Sequence, residues 1–234
     1  MDKFWEFRQD AEKQDTLELY VYSTVESDGW WWDSETSARH FKDELAKHPN
    51  AKEIKVYINS LGGSVMEGIA IYNQLKRHSA HKTVYVDGFA CSIASVIAMA
   101  GDTIIMPKNA VMMIHNAWSY AIGNAAQLRK AADDLEVVNN ASKQAYLEKA
   151  GDKLTEEKLT ELTEEKLTEL LDAETYLSAE QCIELGLADA YGEEDEPDEA
   201  NQQKMLENAV GQAIHEEMLR RREKCAAVVA KYFA

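Results

Sequence analysis

Cysteine, positive charge and long apolar runs are all scarce in this sequence, and each shortage narrows what the chain can do. Only three cysteines, Cys91, Cys182 and Cys225, occur in 234 residues. They lie far apart with no C-x-x-C pair, so neither a disulfide framework nor a zinc site is expected, and a reducing compartment fits best. Lysine and arginine number 25 against 42 aspartates and glutamates, for a formal net charge of −17. Phosphate backbones and anionic lipid surfaces are met by clustered positive charge, so this balance argues against nucleic-acid and membrane partners. The longest weakly polar run, GFACSIASVIAMAG at 88–101, falls short of the roughly 18 to 20 residues that a membrane span needs. The first residues, MDKFWEFRQDAEKQ, lack the basic-then-apolar layout of a signal peptide. Together these absences predict a soluble, cytoplasmic protein.

The acidity is local. Nine acids face three lysines in 151–174, and six acids with no base fill 191–200, while the stretch from Leu17 to Ala150 is nearly balanced. Hydrophobic residues make up 45% of the chain, enough for one domain with a real core plus an appended helix. The expected divisions are an N-terminal segment 1–16, a main domain 17–191, an acidic linker 192–200 and a helical tail 201–234 that serves assembly or substrate docking.

Alternating aromatic and β-branched residues predict a strand at 17–23. A helix over about 35–47, capped by Ser34 or Thr36, is expected to end at His48-Pro49, because the residue before proline is pushed out of the α region. Three strand-to-helix or strand-to-turn trips follow. Strand 54–59 leads through SLGG to a helix at 64–77, strand 82–87 leads through Gly88 to an apolar helix at 92–100, and strand 103–106 turns at Pro107 into VMMIH at 111–115. This alternation predicts an α/β fold with a largely parallel sheet. Apolar residues keep helical spacing from 124 to 149, predicting one long helix. An exact duplication, LTEEKLTE at 154–161 and again at 162–169, reads as an inserted helical segment with leucines on one side and a solvated acidic face. Ser178 and Gln181 have capping-box spacing, and Gly186 suits the end of the short helix that follows.

Three places carry side chains or backbone suited to chemistry. Gly62-Gly63 directly follows a strand, where paired glycines leave backbone N–H groups open to an oxyanion or a peptide strand. Ser92 stands at a strand-to-helix junction among small residues, where its hydroxyl is approachable and the helix N-terminus favours developing negative charge. No G-x-S-x-G surrounds it, and Cys91 beside it is a rival nucleophile better suited to packing. His115 ends a core-like strand, and a serine at the end of an adjacent strand would make it a general base.

YINSLGGSVMEGIAIYNQL, VDGFACSIASVIAMAG, MPKNAVMMIHNAW and ETYLSAEQCIELGLAD, in this order and spacing, resemble the ClpP family of serine peptidases, most of all the ClpP-like head maturation (prohead) proteases of tailed phages. The resemblance covers about 17–191. It implies a ClpP/crotonase-like fold of repeated ββα units with a protruding handle at about 124–171, to which the tail adds a helical extension. It also implies Ser92 as nucleophile, His115 as general base and Glu174 as the acid, with Asp172 as the alternative. Gly63 and Ile93 match the family's oxyanion N–H donors, and Gly62 lines the substrate strand. No cofactor or metal is implied. The implied partners are further copies of the chain in a ring, a heptamer or stacked rings, and polypeptide substrates such as capsid or scaffold protein. Leu61 stands where the family usually has proline, and the duplication lengthens the handle region. Two other classes remain open: a catalytically inactive scaffold of the same fold, and a crotonase-type acyl-CoA enzyme.

Overall fold

The computed structural model describes residues 4–9, 15–26, 37–151 and 162–192. The chain divides into two units, Met1–Asp195 and Glu196–Ala234, and the architecture below is that of the first. The helical tail expected over 201–234, the proposed caps Ser34 and Thr36, and the first copy of the duplication lie outside the described residues.

The elements are β1 (Trp5–Gln9), β2 (Thr16–Tyr22), α1 (Ala38–Leu45), β3 (Glu53–Ser60), α2 (Val65–Arg77), β4 (His81–Cys91), α3 (Ile93–Ala98), β5 (Thr103–Ile105), β6 (Val111–Ile114), α4 (Ala125–Gly151), α5 (Glu164–Asp172), β7 (Thr175–Ser178) and α6 (Ala179–Glu184). They form a mixed α/β structure around one seven-stranded sheet, ordered β1-β2-β3-β4-β6-β7, with β5 pairing on β4. Strands β2, β3, β4 and β6 run parallel, as the alternation of strands and helices predicts. The two edge pairs, β1 with β2 and β6 with β7, are antiparallel. Neither β1 nor β7 is announced by alternation in the sequence, since each is a short edge segment fixed by its neighbour.

Ser37, one residue beyond the expected caps, starts α1 by accepting from the His40 N–H. The strand expected at 82–87 continues through Gly88 to Cys91. Gly88 is therefore not a turn: Asn59 Oδ1 accepts from Phe89 N at 3.2 Å and lies where a Gly88 side chain would go, beside a register shift between β3 and β4. The core between sheet and helices is aliphatic, with Leu19, Ile54, Ile58, Ile71, Leu75, Ile97 and Ile104 buried. Phe4 and Trp5 of the N-terminal segment join it.

The long helix α4 keeps only its last turns in the core, where Ala145, Tyr146, Lys149 and Ala150 are buried, and its first turns are exposed. In the second copy of the duplication Thr163 caps α5, Leu162, Leu167 and Leu171 are buried, and Glu164, Glu165 and Glu169 face solvent. The capping box at Ser178 is closed on both sides, and Gly186 takes a φ of +74°. Among the described residues no helix is long and apolar enough to cross a membrane.

Candidate active site

Parallel strands β4 and β6 are neighbours, with Cys91 opposite Met113, so the residues just past their carboxyl ends are held side by side. Those residues are Ser92 and, two positions beyond Met113, His115. Ser92 Oγ lies 2.7 Å from His115 Nε2. Ser92 is the cap residue immediately before α3, but its hydroxyl makes no capping bond there. Its backbone is at φ +55°, ψ −129°, a region that L-residues adopt at a cost of about 1–3 kcal/mol and only where surrounding structure imposes it. The imposing bonds are Ser92 N to Met113 O at 2.8 Å and Ser95 N to Ser92 O at 3.0 Å. Cys91 is buried, and burial pushes its thiol up to about 12, so it stays protonated at neutral pH. Such burial suits a packing residue.

The glycine pair takes its form from two close approaches. At Gly62, φ +93°, a Cβ would sit 2.6 Å from Ser92 Cβ and 2.7 Å from Cys91 O. Gly62 N donates to Ser60 Oγ at 3.1 Å, so it serves the loop itself. At Gly63, φ +148°, a Cβ would overlap the Val25 carbonyl. Val25 bridges this segment by donating to Gly62 O at 2.8 Å and accepting from Ser64 N at 2.6 Å. A parallel bridge of this kind uses the groups flanking Gly63, so the N–H and C=O of Gly63 itself face away from Val25. Ile93 N lies 3.2 Å from where a Gly62 Cβ would be, which sets its amide beside the same loop. The Ile93 side chain packs on Gly68 of α2.

The antiparallel pair of β6 and β7 runs from Val111 opposite Ser178 to Ile114 opposite Thr175. His115 is the residue after Ile114 and Glu174 the residue before Thr175, both just beyond the last pair of that register. Glu174 has φ +50° and ends the turn between α5 and β7. Asp172, two residues earlier, is exposed, and its Oδ1 accepts from Asn116 Nδ2 at 2.6 Å. The loop after His115 is tied to the long helix by Ala117 N donating to Asn139 Oδ1 at 2.7 Å. Among the described residues no cluster of histidine, cysteine and carboxylates could hold a metal ion.

Two residues that spacing arguments missed stand behind the serine. Ser95 Oγ is 2.5 Å from Ser92 O and 2.7 Å from the hydroxyl of Tyr146, a residue of α4. Ser95 differs in no visible way from any small polar residue of a buried helix, and Tyr146 reads as one more apolar position of a long one.

A serine hydroxyl on an imidazole nitrogen, next to a glycine loop that offers backbone N–H groups, has the geometry of a serine acyl-transfer site. Comparison with known proteins narrows the class. The family model described as Clp protease matches residues 43–195, which include Ser92, His115 and Glu174. The chain belongs to the Clp protease family. It is 31% identical over 149 residues to the ATP-dependent Clp protease proteolytic subunit of Ligilactobacillus salivarius (strain UCC118), covering 62% of this chain and 70% of that protein. It is 27% identical over 148 residues to the protein of the same description from Chara vulgaris, covering 62% of this chain and 63% of that one.

Proposed function

We propose that this chain is a serine endopeptidase in which Ser92 is the nucleophile, His115 the general base and Glu174 the acid that orients the imidazole. The observation that carries the reading is the 2.7 Å approach of Ser92 Oγ to His115 Nε2. With Nε2 accepting, the ring proton sits on Nδ1, and Glu174 immediately precedes the strand that pairs beside His115.

The substrate chain lies extended along Gly62-Gly63 and adds to the sheet by main-chain hydrogen bonds, which make no demand on particular side chains. As Ser92 Oγ attacks the scissile carbonyl, its proton moves to His115 Nε2. The carbonyl oxygen becomes an oxyanion, held by the N–H groups of Gly63 and Ile93. Collapse of the tetrahedral intermediate breaks the C–N bond, and the leaving amine takes the proton from Nε2. Water, giving its proton to His115, then attacks the acyl-enzyme and releases the acid while Ser92 recovers its hydroxyl.

The substrates in this reading are phage capsid or scaffold proteins cleaved during head maturation in the bacterial cytoplasm, and the sites are enclosed in a ring of identical chains, with or without an ATP-driven partner. The family match and the names of the curated relatives support the peptidase reading, and the phage substrates rest on the prohead-protease resemblance of the four motifs. The test combines a serine-reactive fluorophosphonate probe with the native mass of the assembly. Labelling at Ser92, lost in Ser92→Ala together with turnover of an unfolded polypeptide, is expected. A ring-sized assembly that is neither labelled nor able to cleave capsid and scaffold protein would leave the inactive scaffold as the reading.

A further inference from the structure

We propose that Tyr146, through Ser95, is a positioning residue that aims the Ile93 N–H at the oxyanion. The inference rests on the serine-peptidase reading of Ser92 and deepens it.

Ser92 O is a carbonyl and can only accept. Ser95 has one hydroxyl proton, and its shortest acceptor is Ser92 O at 2.5 Å, with Met113 O at 3.4 Å. That proton is committed, so in the 2.7 Å contact between Ser95 Oγ and Tyr146 OH the tyrosine donates. The relay runs from Tyr146 O–H to Ser95 O–H to the carbonyl of Ser92. Both hydroxyls of the relay are in the core: Ser95 and Tyr146 are buried, and burial pushes the tyrosine hydroxyl well above its ordinary value, so it keeps its proton.

The carbonyl so held shares a rigid trans peptide unit with Ile93 N–H, and the two groups point in opposite directions. Fixing one end of that plane therefore fixes the aim of the other. Ser92 O receives both the Ser95 N–H, at 3.0 Å, and the Ser95 hydroxyl. Without the hydroxyl, the strained φ of +55° at Ser92 is held at the carbonyl by one bond instead of two. Tyr146 polarises and orients the hydroxyl that makes the second bond, and successive hydrogen bonds in a dry interior strengthen one another. Lys149, one turn further along α4, donates to Gly101 O and Asp102 O at 2.9 Å each, just past the end of α3. The buried end of α4 thus grips the short helix at both of its ends, and Tyr146 holds the end that carries the chemistry.

An oxyanion donor acts in the transition state and not on bound substrate, so the relay is expected to show in kcat and not in KM. Tyr146→Phe and Ser95→Ala are compared with the unsubstituted protein on a fluorogenic peptide, in the full-length assembly. Loss of a whole donor costs about 10²- to 10³-fold, and a misaimed one less, so kcat is expected to fall about 10-fold in Tyr146→Phe with KM within about 2-fold. Because Tyr146 works only through Ser95, the double variant is expected to be no slower than Ser95→Ala alone. Tyr146→Phe with unchanged kcat, or a double variant slower by the product of both effects, would overturn the relay while the unsubstituted protein still labels at Ser92. Absence of labelling and turnover in the unsubstituted protein overturns the peptidase reading itself. If Ser95→Ala fails to assemble, Tyr146→Phe, which removes one oxygen, decides by its kcat and KM.

Discussion

Gly68 of α2 faces Ile93 of α3 so closely that a methyl group on Gly68 would overlap the isoleucine Cγ1. Two helices that follow successive strands are thereby packed at the residue whose amide is the proposed oxyanion donor. In an ordinary helix interior glycine to alanine stabilises by about 1 kcal/mol. Here Gly68→Ala is expected to do the reverse, destabilising by about 1–3 kcal/mol through overpacking and lowering kcat as Ile93 shifts. Urea unfolding and peptide hydrolysis measure both effects, and a variant that is more stable and equally active would refute this packing.

The two candidate acids differ in their settings. Glu174 immediately precedes β7 and comes to the end of β6 that His115 follows, whereas Asp172 is engaged by Asn116 at 2.6 Å. Glu174→Gln keeps the shape but removes the charge that stabilises the imidazolium, and is expected to lower kcat by about 10²-fold or more. Asp172→Asn is expected to stay within about 3-fold, since its contact is with a neutral amide on the surface. Steady-state kinetics on one peptide ranks them, and the opposite ranking reassigns the acid.

Lys149 is buried, with its ammonium on two carbonyls at 2.9 Å and 3.2 Å from Asp189 Oδ2. Lys149→Met keeps most of the stem but takes the ammonium from both carbonyls and from the carboxylate, which keeps the Ile104 N–H at 2.7 Å. The expected loss is about 3 kcal/mol, at the low end for a broken buried pair because Asp189 retains some water. Chemical denaturation checks this, and a neutral result would mean that water replaces the ammonium.

Asp102 shows a pH dependence with a definite sign. Its partial burial raises the carboxyl, but the Lys82 backbone N–H at 2.7 Å and the Lys82 ammonium at 3.1 Å outweigh burial and hold it below the ordinary carboxylate value. A carboxyl lowered by folding contributes stability above its unfolded value of about 3.9, and that contribution is lost as pH falls through the folded value. The stability gap between the unsubstituted protein and Asp102→Asn is therefore expected to be largest near neutrality and to close in acid. A gap that stays constant down to about pH 3 would show that the two charges are not coupled.

Much of this molecule is legible from sequence because it is written in windows of ten residues or so. The parallel strands, the 27-residue helix α4, the capping box at Ser178 and the left-handed Gly186 all follow from periodicity and local hydrogen bonding. Junctions and motifs point to Ser92, His115 and the glycine pair, and the fold brings the first two within hydrogen-bond distance. Other features depend on partners remote in the chain. The edge strand β1 is a strand because β2 accepts it, and Glu174 comes to the end of β6 that His115 follows because β7 lies against β6 in one register. The positive φ of Ser92 is imposed by Met113 and Ser95, and the hydroxyl that completes that hold is met by Tyr146, 51 positions further on. Propensity and period govern single segments. Register, strain and buried hydrogen bonds are settled only when segments pack, because each requires a partner that no local window contains.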